Sequence, residues 1–511
     1  MAEPLRCVRP ETVIAGYDFS TGSVKALAFD LQGNVLGEVR LPTDLATEGG
    51  VCELNLFLLE GQARASTRAL ARRLLEQNRL QDWAAAAVSA THHTAGRIDE
   101  GRAQVRRAIC WNDQTLAPFH ARGLARLGGQ AAVRDLIGGP WAVRYSLSHL
   151  VKDEAVLPPA DWRRTRWVLP HGPLAVGFLT GRFGVTSVSA AASTGIMDLR
   201  SKQWCLGMLD ALENPEYRAL AARQLPTIVD SDEPLAPLSG ELAEQAGLRG
   251  MPPPLVFSSS DDQAAGLVGG GAVDAGQMAV ILGNSAVVNS SSVGLPATDA
   301  LDAMRLNWGP YLWMRCYSNG AQFLDRVVGP SPDWAALERA ARAVPAGSGG
   351  VTVLPFVLSE PSLGVDRPRF QWLPAEPTDP GVRFRAALEA LAYLIALGVR
   401  AHEQAGQSIG RVTVSGGIAR SELMGEILAS VLGRRLERLQ SDEGPALGAA
   451  VTALAGLEAH LRRIRGIAEP FTVGDAVGHL VRFRSPVEPV EAWRAAYAAG
   501  LEAFERAVRA G

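Results

Sequence analysis

One carboxylate stands at the head of a donor-rich turn near the amino terminus, in Gly16-Tyr17-Asp18-Phe19-Ser20-Thr21-Gly22-Ser23-Val24-Lys25. Asp18 is acceptor-only, while the hydroxyls of Ser20 and Thr21 and the backbone of the turn offer donors. Such a turn suits an anion, and beside phosphates the carboxylate suits Mg²⁺, held directly or through water. A Walker loop needs Gly-Lys-Ser/Thr opening a helix; this turn leads into another apolar run, so that class of nucleotide site is disfavoured. A second acidic group, Asp261-Asp262, follows an apolar stretch and three serines. Asp262 is the candidate catalytic base: at the start of a helix the dipole favours the anion, which could take the proton of an attacking hydroxyl. The competing reading is that Asp261 or Asp262 caps the helix, the commoner fate of an Asp in such a place.

The elements that must position these groups follow from the pattern of apolar residues. Residues 13–15 and 26–29 read as strands on either side of the first turn, and 35–39 as a third strand closing an antiparallel meander. Residues 57–78 read as a helix, and the small apolar run 84–89 as a strand buried on both faces. That strand delivers Thr91-His92-His93-Thr94 at its carboxyl end, where open α/β sheets place ligands. A further polar knot lies at Trp111-Asn112-Asp113. Residues 255–258 predict a strand ahead of the Asp pair, and the glycine cluster at 269–271 is the candidate domain boundary. The plan then restarts: strand 277–282, the turn Gly283-Asn284-Ser285-Ala286, and a returning strand from 287, which suggests an internal duplication with a cleft between halves. Residues 330–380 predict loops plus one helix at 334–344. Phe384, Leu388, Leu391, Ile395 and Val399 predict a core helix. Residues 411–415 form a strand running into Gly416-Gly417, with Ser421 the N-cap of the next helix.

The bulk composition narrows the class. A chain of 511 residues exceeds one core, and 47% hydrophobic with net charge -3 describes a globular protein without a nucleic-acid footprint. The five cysteines are dispersed without metal-ligand spacing, which predicts neither disulfides nor zinc and suits a reducing cytoplasm. The longest apolar run is too short for a bilayer and contains Glu389, so no membrane partner is expected.

Taken together, in order along nearly the whole chain, these stretches resemble the FGGY carbohydrate kinases. Residues 16–25 are similar to that family's first phosphate loop, and Asp262-Gln263-Ala264-Ala265-Gly266 to the stretch holding its catalytic Asp. Gly283-Asn284-Ser285-Ala286 resembles the second phosphate loop, Ser415-Gly416-Gly417 through Ser421 the adenosine motif, and Glu443 with Ala446-Leu447-Gly448-Ala449-Ala450 the closing helix. The resemblance implies two actin-like (ribonuclease H-like) α/β domains of the actin/hexokinase ATPase fold. Residues 1–271 would bind a sugar and 272–511 ATP, with Mg²⁺ near Asp18. It implies that Asp262 is the base, that Thr91, His93, Trp111, Asn112 and Asp113 contact the sugar, and that Ser20, Thr21, Lys25, Gly283, Asn284, Ser285, Gly416, Gly417 and Ser421 hold the nucleotide. The acceptor it implies is a ketopentose, D-xylulose first and ribulose or another polyol next. Glycerol is disfavoured because the Arg-Glu pair of glycerol-specific members is missing from the first loop. A homodimer is compatible with the resemblance, though nothing in the sequence specifies it.

The departures are as definite as the matches. Ser258-Ser259-Ser260 replace glycines ahead of the catalytic Asp, Asn284 stands where the family has Thr, Ala286 replaces Gly, and Thr91-His92 replace Gln-Met. They keep a reading of another class open, a sugar- or nucleotide-binding regulator that transfers no phosphate.

Overall fold

The computed structural model describes residues 3–230 and 232–510. Its first half is built on β1 (Val13–Phe19), β2 (Ser23–Phe29), β3 (Val35–Pro42), β4 (Trp83–Ala90) and the short β5 (Leu255–Val256) and β6 (Ser260–Asp261). β2 and β3 run antiparallel beside β1, while β4 lies parallel on its other side and takes β5 and β6 in parallel. Every residue of β1 is buried, as expected of a central strand covered on both faces. Helix α1 (Leu56–Glu76) covers one face through Leu59, Ala63, Leu70 and Leu74, a stripe at helical spacing.

The second half repeats the plan. β7 (Gln277–Leu282) pairs antiparallel with β8 (Ala286–Ser292), which pairs with β9 (Tyr311–Tyr317); on its other side β7 is parallel to β10 (Arg411–Ser415), and β10 to β11 (Leu436–Arg438). The duplication expected from two strand–turn–strand openings is thus a duplication of sheet topology. Residues 330–380 depart from expectation: besides a helix at Trp334–Arg342 they form a hairpin, Thr352–Phe356 with Arg369–Leu373. Gly364 lies in its turn, and Pro355 sits within the first of its two strands, an edge strand whose ladder tolerates it. The strand expected at 255–258 breaks after Val256 and resumes at Ser260.

The halves are joined by two helices crossing at backbone contact, α2 (Asp262–Gly269) and α4 (Gly444–Ile464); between them in sequence lies the core helix α3 (Pro380–Gln404). A Cβ on Gly448 would stand 1.8 Å from the Ala265 carbonyl oxygen, and one on Gly269 1.9 Å from that of Gly444. Only glycine permits such an approach. Gly269, read as part of a boundary, is therefore a packing residue. α4 also lies on the first sheet, where Gly16 of β1 meets the Ala446 carbonyl and Ala449, Ala453 and Leu454 share a core with Ile14, Leu27 and Ala85. A helix from the second half of the sequence thereby closes the first half's sheet.

Candidate active site

Sheet register gathers the acidic groups. Asp18 lies opposite Ser89 across the β1–β4 pair, and Ser89 opposite Ser260 across β4–β6, so three neighbouring strands end at one level. Parallel strands leave their carboxyl ends free there, where the following turns build a site. Asp18 is buried and accepts from the Ser89 hydroxyl at 3.1 Å, with the Lys25 ammonium 4.0 Å away. Burial, opposed by Lys25, raises its pKa to about 6. A buried carboxylate with so few donors is a fitting seat for a divalent cation.

The neighbouring aspartates have different settings. Asp261 is the N-cap of α2: its Oδ1 accepts from the amides of Gln263 at 3.0 Å and Ala264 at 2.9 Å, and its Oδ2 from the Ser189 hydroxyl. Asp262 has no capping duty. It accepts the His92 amide at 3.3 Å and keeps part of its surface open. Its setting between the halves raises its pKa to about 8, first through desolvation and then through the negative charges of Asp261 and Asp18. A carboxyl poised near neutrality can take and release a proton. Sequence reasoning missed the brace behind it. Asn307, from the second half, donates to the Ser259 carbonyl at 2.9 Å and the Ser260 hydroxyl at 3.2 Å, and accepts the Ser189 amide at 2.9 Å. Ser259 and Ser260, two of the three serines that replace the family's glycines, are thus tied into a network holding the strand that leads to Asp262, while the Ser258 hydroxyl is buried without a partner.

The expected sugar-contacting residues have distinct settings. His93 is buried with φ of 52°, and its Nδ1 donates to the Ser193 carbonyl at 2.7 Å, leaving Nε2 buried and without a partner. Burial and the nearby His92 and Arg144 hold its pKa well below the usual histidine range. The Thr91 hydroxyl donates to the Phe19 carbonyl at 3.1 Å, so it extends the β1–β4 pairing. Asp113 accepts from the amides of Thr115 at 2.8 Å and Cys52 at 3.2 Å and from Lys152 at 3.2 Å, which fixes its loop. The side-chain carbonyl of Asn112 is buried and unpaired, and Trp111 is half-buried beside it.

A cavity of ≈ 740 Å³ opens between the halves and is walled by Lys25, Gly283, Asn284, Gly417 and Ser421, with Trp334 and Phe384 adding flat apolar surface. Five residues expected to hold a nucleotide thus meet around one space. Ser421 also caps its helix, accepting the Met424 amide at 3.1 Å. Gly416, at φ of 95°, would clash through a Cβ with the Leu282 carbonyl at 2.4 Å, whereas Gly417 faces open space. Ser20, Thr21, Ser285 and Gly416 are outside the lining; Ser20 closes its own turn by donating to the Ser23 carbonyl at 2.8 Å, and Ser285 accepts the Gly283 amide at 3.0 Å through its carbonyl. Lys25, besides lining the cavity, pairs with Glu443 at 2.5 Å, and Glu443 also binds Arg40 at 2.7 Å. That cross-molecule clasp had no sequence signal beyond the Glu of the closing motif.

The model for the FGGY family of carbohydrate kinases, N-terminal domain, matches residues 13–269, and that for the C-terminal domain matches residues 316–457. This chain belongs to the FGGY family of carbohydrate kinases. Among the relatives of this FGGY kinase, the xylulose kinase of Escherichia coli (strain K12) is 28% identical over 458 residues, covering 85% of this chain and 88% of the relative. The glycerol kinase of Verminephrobacter eiseniae (strain EF01-2) is 27% identical over 497 residues, covering 88% and 91%. The xylulose kinase structure from Rhodospirillum rubrum shares the fold, with a TM-score of 0.81, 22% identity and 98% of each chain covered. The two-domain actin-like architecture and sugar kinase activity are those of the family, with a sugar and ATP as its small-molecule substrates. The regulator reading gives way to this membership. Among the described residues no helix is long and apolar enough to cross a membrane.

Proposed function

We propose that this FGGY kinase transfers the γ-phosphoryl group of ATP to a primary hydroxyl of a ketopentose, D-xylulose being the leading acceptor and ribulose or another polyol the alternatives. The observation that carries the reading is the division of labour at the head of α2: Asp261 is consumed as cap, and Asp262 remains free, half-open and tuned to about 8. Asp262 takes the proton as the acceptor oxygen bonds to the γ-phosphorus and the bond from that phosphorus to the β,γ-bridging oxygen breaks. Asp18 would hold Mg²⁺, which when bound offsets phosphate charge. Lys25, the backbone of Gly283 and Asn284, and Gly417 cradle the nucleotide against the apolar wall of Trp334 and Phe384, with Ser20, Thr21, Ser285, Gly416 and Ser421 fixing the loops. His93, Asn112, Trp111 and the loop held by Thr91 and Asp113 receive the sugar; the unpaired Nε2 of His93 and Oδ1 of Asn112 support this placement. The sugar and nucleotide would thus bind mainly to residues 1–271 and 272–511 respectively. The relatives named xylulose kinase favour the ketopentose, and the similar glycerol kinase makes the acceptor the point to test.

The experiment is ADP release by purified protein with ATP and Mg²⁺ across D-xylulose, ribulose, other ketoses, glycerol and gluconate. D-Xylulose is expected to give the highest kcat/KM. The Asp262→Ala variant is expected to lose a factor of about 10²–10⁴ in kcat. Undiminished turnover by that variant would remove Asp262 from the base role.

A further inference from the structure

A buried carboxylate far from the aspartates is spent on the stretch that follows β9. Glu360 lies in the loop between Thr352–Phe356 and Arg369–Leu373, where its own backbone is fixed by exchange with Val365, its amide donating at 2.6 Å and its carbonyl accepting at 3.1 Å. Its Oε2 accepts the Ser318 amide at 2.7 Å and the Asn319 side-chain amide at 3.2 Å, and its Oε1 accepts the Ser362 hydroxyl at 2.8 Å. Asn319 is fully buried too, and its orientation is forced. The Leu358 amide, a donor only, binds Oδ1 at 2.8 Å, which leaves Nδ2 for the Leu358 carbonyl at 3.2 Å and for Glu360. Two buried polar side chains, each satisfied, thus hold the turn at 318–320.

The next residues carry that hold to the turn between β7 and β8. At the head of the helix Ala321–Val328, the Gly320 amide donates to the Asn284 carbonyl at 3.0 Å and the Ala321 amide to the Gly283 carbonyl at 2.9 Å. A Cβ on Gly320 would stand 2.4 Å from the Gly283 carbonyl oxygen, an approach that only glycine permits. A trans peptide is planar with its N–H opposite its C=O, so fastening these two carbonyls turns the amides of Asn284 and Ser285 to the other face of the turn. With Asn284 where the family has Thr, the turn offers a phosphate its amides in place of that hydroxyl, and their direction matters the more.

We propose that Glu360 is a positioning residue of this kinase: through Asn319 and the head of the helix Ala321–Val328, it sets the direction in which the 283–285 turn presents its amides to the terminal phosphates of ATP. Glu360 stands outside the cavity wall and acts only through that turn. The inference rests on the proposed nucleotide placement and extends it to a side chain behind the loop.

The test compares wild type with Glu360→Met, which fills the space without an acceptor, and with Glu360→Gln, whose one carbonyl oxygen can serve both N–H donors while its amide donates to the Ser362 hydroxyl. Asn319→Asp is a second, isosteric probe: it keeps the acceptor for the Leu358 amide and sets an oxygen against Glu360. Binding of AMPPNP and of AMP, each with Mg²⁺, is measured by calorimetry, and kcat by initial rates with the best acceptor of the panel. Glu360→Met and Asn319→Asp should each weaken AMPPNP by about tenfold and lower kcat by a similar factor, the loss of about one net hydrogen bond. AMP and sugar affinity should stay within about twofold, because AMP lacks the phosphates that the turn would hold. Glu360→Gln should bring AMPPNP affinity back to within about threefold of wild type. If Glu360→Met does not fold, Asn319→Asp decides by the same criteria. Parental AMPPNP affinity and kcat in the variants would overturn the proposal and leave the kinase reading standing. So would equal losses for AMP and AMPPNP, which mark a general structural role. A wild type that binds AMPPNP no better than AMP would overturn the placement of the turn at the phosphates and the proposal with it.

Discussion

Asp262 places opposite demands on stability and catalysis. Its folded pKa of about 8 lies above the ordinary carboxylate value, so the folded state prefers the protonated form. The native contribution of this group is therefore fully present below about pH 4 and is lost as pH rises toward 8. Asp262→Asn removes the liability and the proposed base together. At pH 8 its Tm is expected to exceed wild type by about 2–4 °C, with the gap shrinking to nothing near pH 4 and kcat down by at least 10²-fold. Differential scanning fluorimetry across that pH range checks the sign. For wild type, kcat/KM should climb with pH through the same region, because the base must be ionised to act. Which of the adjacent aspartates carries this burden was undecidable from residue type. The cap on Asp261 depends on the strand end at β6, a feature set by pairing with β4.

At the scale of elements, the α2–α4 crossing and the cavity loops make contrasting use of glycine. Gly448→Ala drives a Cβ to 1.8 Å from the Ala265 carbonyl, and backbone cannot yield as a side chain can. A loss of about 3 kcal/mol or more is expected, read as a lowered urea midpoint or as insoluble protein. Gly417→Ala meets nothing within 4 Å, so stability should hold within about 0.5 kcal/mol while KM for ATP rises, since the added methyl occupies the proposed nucleotide cavity. The helices and strands themselves were legible: α3 and β10 fall where the apolar period puts them. The Thr352–Phe356 hairpin was not, because its prolines and glycines resemble loop punctuation until the partner strand is known.

At the scale of the whole molecule, the Lys25–Glu443 pair spans 418 residues of sequence and joins the first turn to the head of α4. Both side chains are only 17% exposed, so screening by water is partial. Glu443→Gln is expected to weaken the hold on Lys25 and Arg40 at the mouth of the proposed nucleotide cavity. We expect KM for ATP to change by about threefold to tenfold with KM for the sugar unchanged, measured in initial-rate kinetics with each substrate varied; an effect on the sugar alone would contradict this placement of the clasp. Sequence by itself determined the strand–turn–strand openings, the glycines at the turns, the amphipathic helices and the short list of carboxylates, because turn geometry and apolar period are set by near neighbours. Tertiary structure alone decided that Asp261 caps the helix while Asp262 does not, and that α4 closes the first sheet. Those outcomes follow from which distant backbones approach closely enough to touch, and many local patterns are compatible with more than one such approach.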